Sequence, residues 1–504
     1  RTEVEPGAEL GTTIGSLAEV FAPELIAVEG YGLVGGLSET GSGECPSQIR
    51  EYLKQYILTQ LPERKIDVEE FISSRNTAVV LVHGTMPTAV TKNQYFDVKV
   101  EALPGTQTTS LEGGWLYRAE LKATVEPGVR TRALATAEGA VFIDTIGTRQ
   151  ADKTAGYILA GGKVLDEYRI TLGLRQPDYM VSRQISDLIN LRFGSGTAKP
   201  VSPGVIELTV PAEYGEQKQR FISTVKAIYI IGTPQITEER IDALVIKLAD
   251  SEDKDASEAA LEAIGNKCLG KLANLLNSSS EEVRFRAARC MLNLGGDRGL
   301  ATLRAIAMDK GSDYRVEALE AITAAASRND AAAIARRLVR DDDFGIRLAA
   351  YEQLRKLDDI VITQRLIADK FYLEQIARVK PMEIFVSRSG QPRIVLFGAP
   401  IYCRDDVFVQ SADGNITINA PSGQNYVSVI RKLPNRPNVI ELQSSFELSD
   451  IIQTLCEEPV VKDGSLLRAG LNISYADAIA LLNQMCQTGQ VPAGFQAGPL
   501  PKID

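Results

Sequence analysis

The chain has 504 residues, which corresponds to two to four domains at roughly 150 residues each. Apolar residues make up 44% and charged residues 24%, so the composition excludes a disordered or fibrous chain. The 55 basic and 65 acidic side chains give a net charge of −10, which excludes a general electrostatic attraction for nucleic acid. No run of about 18 apolar residues occurs, so no membrane-spanning helix is predicted.

Histidine is the scarcest of the residues that carry enzyme chemistry, since His83 is the single one in the chain. A zinc site with two histidines is therefore excluded, and chemistry that needs a histidine base beside a nucleophile would have to use His83. His83 ends an apolar strand-like segment, and we interpret it as structural. The composition favours binding or structure, and we predict no catalytic residue, no cofactor and no metal site.

Six cysteines are spread along the chain without a C-x-x-C pair, which excludes zinc-ribbon and thioredoxin-like sites. Cys268 and Cys290 lie in alanine-rich helical sequence, and we expect both to be small buried residues. The other four could pair, and we predict a disulfide between Cys456 and Cys486. The chain starts at Arg1, as a secretory protein would after removal of its signal peptide, and as a shortened chain would too.

The first region, residues 1–234, is mostly strand-like and is interrupted by glycine and proline. Strands are predicted at 77–83, 95–102 and 204–210. Helices are predicted at 46–61 and 179–190, the second with Asp178 as its N-cap.

The second region, residues 235–380, is alanine-rich and contains an internal repeat. Three segments share an arginine followed three residues later by an alanine, and the alanines are 31 and 32 residues apart. These pairs are Arg284 with Ala287, Arg315 with Ala318, and Arg347 with Ala350. A period near 30 residues predicts stacked helix pairs, and the segment resembles the HEAT-like repeat family. Its 25 acidic and 23 basic residues exclude a nucleic-acid groove and favour a surface for an unknown protein partner or a neighbouring subunit.

The third region, residues 381–504, returns to strands, which are predicted at 383–387, 393–397, 406–410 and 426–430. A final helix pair is predicted at 448–456 and 474–488. The predicted fold class is α+β, with a strand-rich, multi-lobed body interrupted by an all-α solenoid.

A glycine-rich segment, Gly30-Tyr31-Gly32-Leu33-Val34-Gly35, matches the G-x-G-x-x-G fingerprint of dinucleotide sites. Such a site requires a helix that begins at the glycines, yet Gly36 and the glycines and serines after it cannot continue a helix. We therefore predict tight or close-packed backbone positions here. Trp115, which follows Gly113 and Gly114, is predicted to pack as a core or interface anchor.

Many short motifs in one order resemble the bacterial flagellar P-ring protein family. They include the glycine-rich segment, the S-L-x-G-G motif that ends at Gly114, and the segment around Pro177 and Asp178. The full series lies at 14–20, 28–37, 76–82, 86–87, 96–100, 109–114, 173–179, 185–190, 205–211, 221–230 and, more weakly, 471–489. The resemblance covers residues 10–232 well and 381–495 weakly, and the family pattern contains no helical insertion.

The resemblance implies a structural protein of the periplasm. P-ring proteins form a closed ring that acts as a bushing around the flagellar rod at the peptidoglycan layer. Such a homo-oligomer requires two different faces on each subunit and a rotation that closes. The expected partners are other copies of the chain, the rod, peptidoglycan and outer-membrane ring proteins. Two alternatives remain open at this point: a ring or pore-lining protein of a non-flagellar envelope apparatus, and a monomeric adaptor that binds a partner through its solenoid.

Overall fold

Strands form most of both ends of the chain and helices form its middle. A computed structural model describes residues 10–21, 25–60, 67–87, 92–123, 132–147, 151–165, 170–215, 217–432, 439–462, 465–468 and 470–503. None of the helices in these ranges is long and apolar enough to cross a membrane.

The strands are as follows in chain order: β1 (Ala18–Phe21), β2 (Leu25–Gly35), β3 (Thr77–Pro87), β4 (Tyr95–Ala102), β5 (Trp115–Ala123), β6 (Ala133–Ala140), β7 (Ala155–Val164), β8 (Ile170–Leu174), β9 (Ala198–Ser202), β10 (Val205–Leu208), β11 (Ile362–Ile367), β12 (Phe371–Ala377), β13 (Glu383–Val386), β14 (Arg393–Ala399), β15 (Phe408–Gln410), β16 (Ile416–Asn419), β17 (Val427–Lys432), β18 (Val439–Ser444), β19 (Val460–Lys462), β20 (Ser465–Arg468) and β21 (Gly494–Ala497).

The helices are as follows: α1 (Ile14–Leu17), α2 (Ser47–Gln60), α3 (Val68–Ile72), α4 (Tyr179–Phe193), α5 (Lys218–Lys226), α6 (Pro234–Asp250), α7 (Asp255–Ile264), α8 (Leu269–Leu275), α9 (Glu281–Asn293), α10 (Asp297–Met308), α11 (Arg315–Ala325), α12 (Arg328–Leu338), α13 (Phe344–Lys356), α14 (Leu448–Cys456) and α15 (Tyr475–Gln487). Short 3₁₀ turns occupy Ala212–Tyr214 and Asn266–Cys268.

The chain divides into two compact units, each made of two separate stretches. Unit 1 comprises Arg1–Pro23 and Tyr168–Val361, and unit 2 comprises Glu24–Glu167 and Ile362–Asp504. The fold class is α+β, as the sequence predicts.

Unit 1 contains a four-stranded antiparallel sheet in the order β1-β8-β10-β9. Helix α4 packs on the edge strand β9, and α1 packs on α5. The buried faces carry aliphatic side chains such as Leu172, Ile189 and Ile206. The alternation of buried and exposed residues in β8 and β10 is the period-two pattern of a sheet that is covered on one face.

Helices α6–α13 form the helical array of unit 1. Thr233 starts it, because its hydroxyl accepts a hydrogen bond from the Ile236 amide and Pro234 occupies the first helical position. Helix α9 packs on α7 and α11, and α11 packs in turn on α13. Alternate helices are therefore stacked, which is the arrangement expected of repeated helix pairs. The assignment to the HEAT-like family stays a prediction.

Unit 2 contains a closed six-stranded antiparallel barrel in the order β2-β3-β4-β7-β6-β5. Its interior is filled by apolar side chains that include Val34, Val80, Val98 and Leu116. Helices α2 and α3 cover the outside of β2 and β3 through a separate apolar cluster that contains Leu33 and Leu53.

The rest of unit 2 consists of two sheets and two helices. A mixed five-stranded sheet has the order β11-β12-β14-β13-β21, and a four-stranded antiparallel sheet has the order β15-β16-β17-β18. One apolar cluster joins both sheets with α14, α15 and the barrel residues Phe142 and Leu159.

Helices extend over only part of the range from 235 to 380. The last one ends at Lys356, and residues 362–377 form β11 and β12. These strands belong to the five-stranded sheet, in which β12 lies parallel to β14. The prediction of solenoid helices after residue 356 is therefore wrong, because pairing with a strand that lies later in the chain determines this segment's conformation.

Candidate interaction surfaces and packing sites

The glycine-rich segment lies inside strand β2, so the interpretation as close-packed backbone agrees with its geometry. A side chain at Gly30 would overlap the backbone carbonyl of Glu120 in β5. A Cβ at Gly32 would lie 2.8 Å from a methyl carbon of Leu116, and one at Gly35 would lie 2.6 Å from the Tyr117 ring. The three glycines let β2 approach β5 where the barrel closes, and the register between these strands shifts at this point.

The remaining residues of this segment have separate roles. Leu33 is buried against α2 and α3, whereas Tyr31 is partly exposed on the outside of the barrel. Gly36 has a φ of +79°, in the left-handed region that favours glycine, and so ends the strand.

Gly113 and Gly114 form the turn that leads into β5. Gly113 has a φ of +73°, and a side chain at Gly114 would overlap that of Val34. Trp115 follows directly and pairs with Gly35 across the barrel closure. Its side chain is 51% exposed, so the prediction of a core anchor is wrong. Strand alternation explains this, because Leu116 faces the interior and Trp115 therefore faces outward. Its role as an interface anchor stays a proposal.

Asp178 caps helix α4, as its position in the sequence predicts. Its Oδ1 accepts hydrogen bonds from the Met180 amide at 2.6 Å and the Val181 amide at 3.1 Å. Pro177 precedes it on the surface and lies beside Gly204. The outer face of the helix carries Tyr179, which is 72% exposed.

The free edge of strand β9 is blocked against further strand pairing. The Asn190 side chain, from α4, accepts a hydrogen bond from the Ala198 amide and donates one to the Ala198 carbonyl, both at 2.9 Å. Pro200, two residues further on, has no amide hydrogen. At Ala198 and Pro200 this edge thus presents no free backbone donor, which disfavours strand addition there.

The three repeat arginines of the helical array have related but unequal contacts. Arg284 donates to the carbonyls of Ser278 and Ser279, and Arg347 donates to those of Asp341 and Asp342, at 2.8–3.0 Å. Both arginines thus bind the carbonyls six and five residues before them, in the turn before their own helix. Arg315 instead binds the Ala307 carbonyl and the Asp341 carboxylate. The partner alanines Ala287, Ala318 and Ala350 are all fully buried.

A buried ionic cluster, made of Glu258, Glu262, Arg220, Arg286 and Arg289, joins α5, α7 and α9. Glu258 is 2% exposed and contacts Arg220 at 2.9 Å, Arg289 at 2.6 Å and Arg286 at 3.3 Å. Burial alone would raise the pKa of Glu258, but the charges of Arg220 and Arg289 outweigh it and lower the pKa to about 2.

Glu262 continues the cluster on the next turn of α7. Its carboxylate pairs with Arg220 and accepts a hydrogen bond from the Tyr214 hydroxyl at 2.7 Å. Its backbone carbonyl accepts two hydrogen bonds from Arg192 of α4. Sequence reasoning missed this cluster, although two carboxylates four residues apart among Ala259, Ala260 and Leu261 were a usable signal.

The predicted disulfide between Cys456 and Cys486 is absent. All six cysteines lie in the described part of the chain, and all are free thiols. Cys456 is fully buried at the end of α14, and its burial raises the pKa of the thiol. Cys268 and Cys290 are fully buried, as predicted.

His83 lies within β3 rather than at its end, and it pairs with Glu29 and Lys99 on the neighbouring strands. Its side chain is half-buried, and this burial lowers its pKa. Over the described ranges, no group of three or more acidic, histidine and cysteine side chains is placed to hold a metal ion.

These features define an α+β protein that is built on a glycine-closed barrel and carries a helical array. Residues 14–246 match the sequence model of the family described as Flagellar P-ring protein. This part of the chain is therefore similar to the flagellar P-ring protein family, in agreement with the resemblance seen in the sequence.

Individual relatives give the same result. The chain is 32% identical over 254 residues to a flagellar P-ring protein of Nitrosomonas europaea. The aligned residues make up 47% of this chain and 65% of the relative. It is 29% identical over 216 residues to one of Thermotoga maritima, which covers 40% of this chain and 61% of the relative. The chain thus spans less than two thirds of the length of these relatives. The family match ends within α6, so α7–α13 and all of the chain that follows lie outside it.

Proposed function

We propose that this protein is a structural subunit of a homo-oligomeric ring in the bacterial cell envelope, related to the flagellar P-ring that surrounds the rod. The observation that carries the proposal is the family match over residues 14–246. The proposed role requires complementary protein surfaces and no catalytic group. It places the protein in the periplasm, next to the rod, peptidoglycan and outer-membrane ring proteins.

The ionic cluster indicates how the helical array takes part in such a ring. Arg192, Tyr214 and Arg220 lie inside the family match, whereas Glu258 and Glu262 lie outside it. Because these buried groups are bonded to each other, the array is held to the family-matched part of unit 1 by side-chain contacts as well as by the chain. We propose that the array is a fixed outgrowth of the subunit that offers a surface to a further protein.

Electron microscopy of negatively stained protein tests the ring directly. Purified protein and isolated envelopes should contain annular particles, and mass photometry should show a discrete high-mass species. A protein that stays monomeric over the full concentration range, with no annular particles in envelopes, would contradict the proposal.

Trp115 provides a matched pair of variants for the same test. We propose that this exposed side chain contacts a second copy of the chain, because large aromatic residues dominate the energetics of subunit interfaces. Trp115→Ala should reduce the annular fraction while leaving the circular dichroism spectrum unchanged. Trp115→Phe keeps an aromatic ring and should retain most of the assembly. Equal assembly of the wild type and both variants would remove Trp115 from the interface.

A second candidate follows from the unmatched half of the chain. Because the family match ends at residue 246, the helical array could serve a monomeric adaptor, or a ring of a non-flagellar apparatus. Light scattering separates the adaptor from a ring by mass. Deletion of the gene separates the two rings, since loss of swimming with normal envelope integrity would indicate the flagellar one.

A further inference from the structure

Two strands at the edges of the sheets of unit 2 are open on one side. Over the described residues, β18 pairs with β17 alone and β11 pairs with β12 alone. Each strand is six residues long, four of its residues are exposed, and neither strand contains a proline. An open edge presents unpaired backbone N–H and C=O groups, so both edges are templates for a further strand.

The hydrogen bonds of the neighbouring strands show which backbone groups of β18 point outward. The Lys432 amide of β17 donates to the Asn415 carbonyl at 2.7 Å, so the backbone groups of Lys432 face away from β18. Val439 lies opposite Lys432 and therefore directs its own backbone groups to the open edge. Glu441 and Gln443, which follow at alternate positions, do the same.

The same reasoning applies to β11. The Tyr372 amide of β12 donates to the Pro392 carbonyl at 3.0 Å, so the backbone groups of Tyr372 face away from β11. Leu366 lies opposite Tyr372, and its backbone groups therefore point to the open edge, as do those of Gln364 and Ile362. Both edges thus offer three outward-facing residues at the same spacing.

The side chains favour pairing of the two different edges over pairing of β18 with itself. Two antiparallel β18 edges with all three outward-facing residues paired would place Glu441 opposite the Glu441 of the other copy, and like charges in that position are destabilising. Against β11, Glu441 lies opposite Gln364, whose amide can donate to the carboxylate. In that register Val439, which is 53% exposed, lies opposite Leu366, which is 43% exposed.

We propose that β18 of one copy pairs antiparallel with β11 of the next, with Val439 opposite Leu366 and Glu441 opposite Gln364. This contact rests on the ring of the proposed function and specifies one interface that builds it. Each copy has one edge of each kind, so the contact is heterologous and joins copies head to tail. Paired strands twist with a fixed hand, so the pairing also sets an angle between neighbours.

Cross-linking between two singly substituted proteins tests the register. Leu366→Cys and Val439→Cys are made in separate chains, in which the half-buried Cys45 and Cys486 are changed to serine. Directly opposed residues of antiparallel strands have Cα atoms about 4.5–5.5 Å apart, which is within reach of a disulfide. A mixture of the two proteins under mild oxidation should give a linked dimer, with the link located at positions 366 and 439 by mass spectrometry. Neither protein should give that dimer alone.

Gln443→Cys is the matched control for the cross-link. It lies in the same strand, four residues beyond Val439, and opposite Ile362 in the proposed register. Mixed with Leu366→Cys, it should give no linked dimer. Equal linkage by Gln443→Cys and Val439→Cys would overturn the proposed register.

A second pair of variants tests the backbone contact itself. Gln364→Pro removes one outward-facing amide, and proline is tolerated on an edge strand at such a position. It should abolish the annular particles without changing the circular dichroism spectrum, whereas Gln364→Ala keeps the amide and should retain them.

Absence of the link between positions 366 and 439 would overturn the proposal, whether or not the copies assemble. A discrete dimer without this link would also overturn it, because two β11 edges would then be paired with each other. Rings without the link would leave the proposed function intact with a different interface. Linked copies without rings would support the strand contact and contradict the ring.

Discussion

The barrel and the helical array bring their elements together by opposite means. In the barrel, β2 and β5 lie close because glycines of β2 carry no side chain where the two strands meet. In the helical array, charged side chains join α7 to α9. The barrel closure has room for backbone and nothing more at Gly30. The array instead holds Glu258 between three guanidinium groups. The first kind of contact is sensitive to added volume and the second to a change of charge.

The two regions can be followed separately in one sample. Trp115 is the single tryptophan of the chain and lies in the barrel, so its fluorescence reports unfolding of unit 2. Far-ultraviolet circular dichroism is dominated by helices, most of which lie in unit 1. A substitution in one region should therefore move one of the two signals and leave the other in place.

Glu258→Gln should have the largest effect. The substitution leaves Arg220, Arg286 and Arg289 with reduced charge compensation in a buried setting, which typically costs about 3–5 kcal/mol. The circular dichroism transition in urea should shift to lower denaturant, with little change in the fluorescence transition. Equal shifts of both signals would show that the two regions unfold as one.

The same carboxylate predicts a pH dependence. Its pKa is about 2 in the folded protein against an ordinary 4.5, so its contribution to stability is complete above pH 4.5 and is lost as the pH falls towards 2. At about 1.4 kcal/mol for each pKa unit, the loss is about 3 kcal/mol. Glu258→Gln should remove this part of the acid sensitivity. A wild type and variant with parallel pH profiles between 4.5 and 2 would contradict the assignment.

Gly30→Ala should destabilise the barrel by about 1–3 kcal/mol, because the added methyl group meets the Glu120 carbonyl and the strands must separate. Here the fluorescence transition should move and the helical signal should stay. Gly270→Ala is the matched control, since Gly270 lies in α8 with nothing within 4 Å of an added Cβ. It should raise the stability of the array by about 0.5–1 kcal/mol, because alanine favours a helix over glycine. Destabilisation by both substitutions would weaken the contrast.

Arg347→Met should destabilise the array more than Arg284→Met. Arg347 is fully buried and binds two carbonyls, so its loss costs about 1–3 kcal/mol for the polar groups left behind. The Arg284 side chain is 31% exposed, so in the Arg284→Met variant water can hydrogen-bond to the carbonyls of Ser278 and Ser279. The difference between the two urea midpoints measures the effect of burial at equivalent repeat positions, and equal midpoints would argue against it.

Local patterns were sufficient where one element determines its own conformation. The alternating strand at Tyr95–Ala102 and the amphipathic helix at Leu448–Cys456 have the predicted bounds, and Asp178 caps α4 as expected. Long-range pairing was not readable from the sequence. Residues 362–377 form strands because β12 pairs in parallel with β14, which lies later in the chain. Similarly, Glu258 binds Arg220, which lies 38 residues earlier.

The features of the candidate surfaces also fall into those that local sequence predicts and those that depend on long-range packing. The glycine-rich segment and the repeat arginines were found from spacing, since each requires a residue type at a fixed local position. The exposure of Trp115 and the free state of Cys456 and Cys486 depend on which strand face or helix face meets the core. Neither spacing nor composition determines that face.

The blocked edge of β9 bears on what kind of assembly the chain can form. A sheet that accepts strands at its edge can add copies without limit and produce fibres. Asn190 occupies the polar groups of Ala198, and Pro200 offers no amide, so strand addition is disfavoured at these two positions of the β9 edge. In the proposed ring, contacts between copies at these positions would have to be made by side chains, and a specific side-chain interface sets one angle between neighbours. A fixed angle allows a head-to-tail series of identical subunits to close into a ring of limited size.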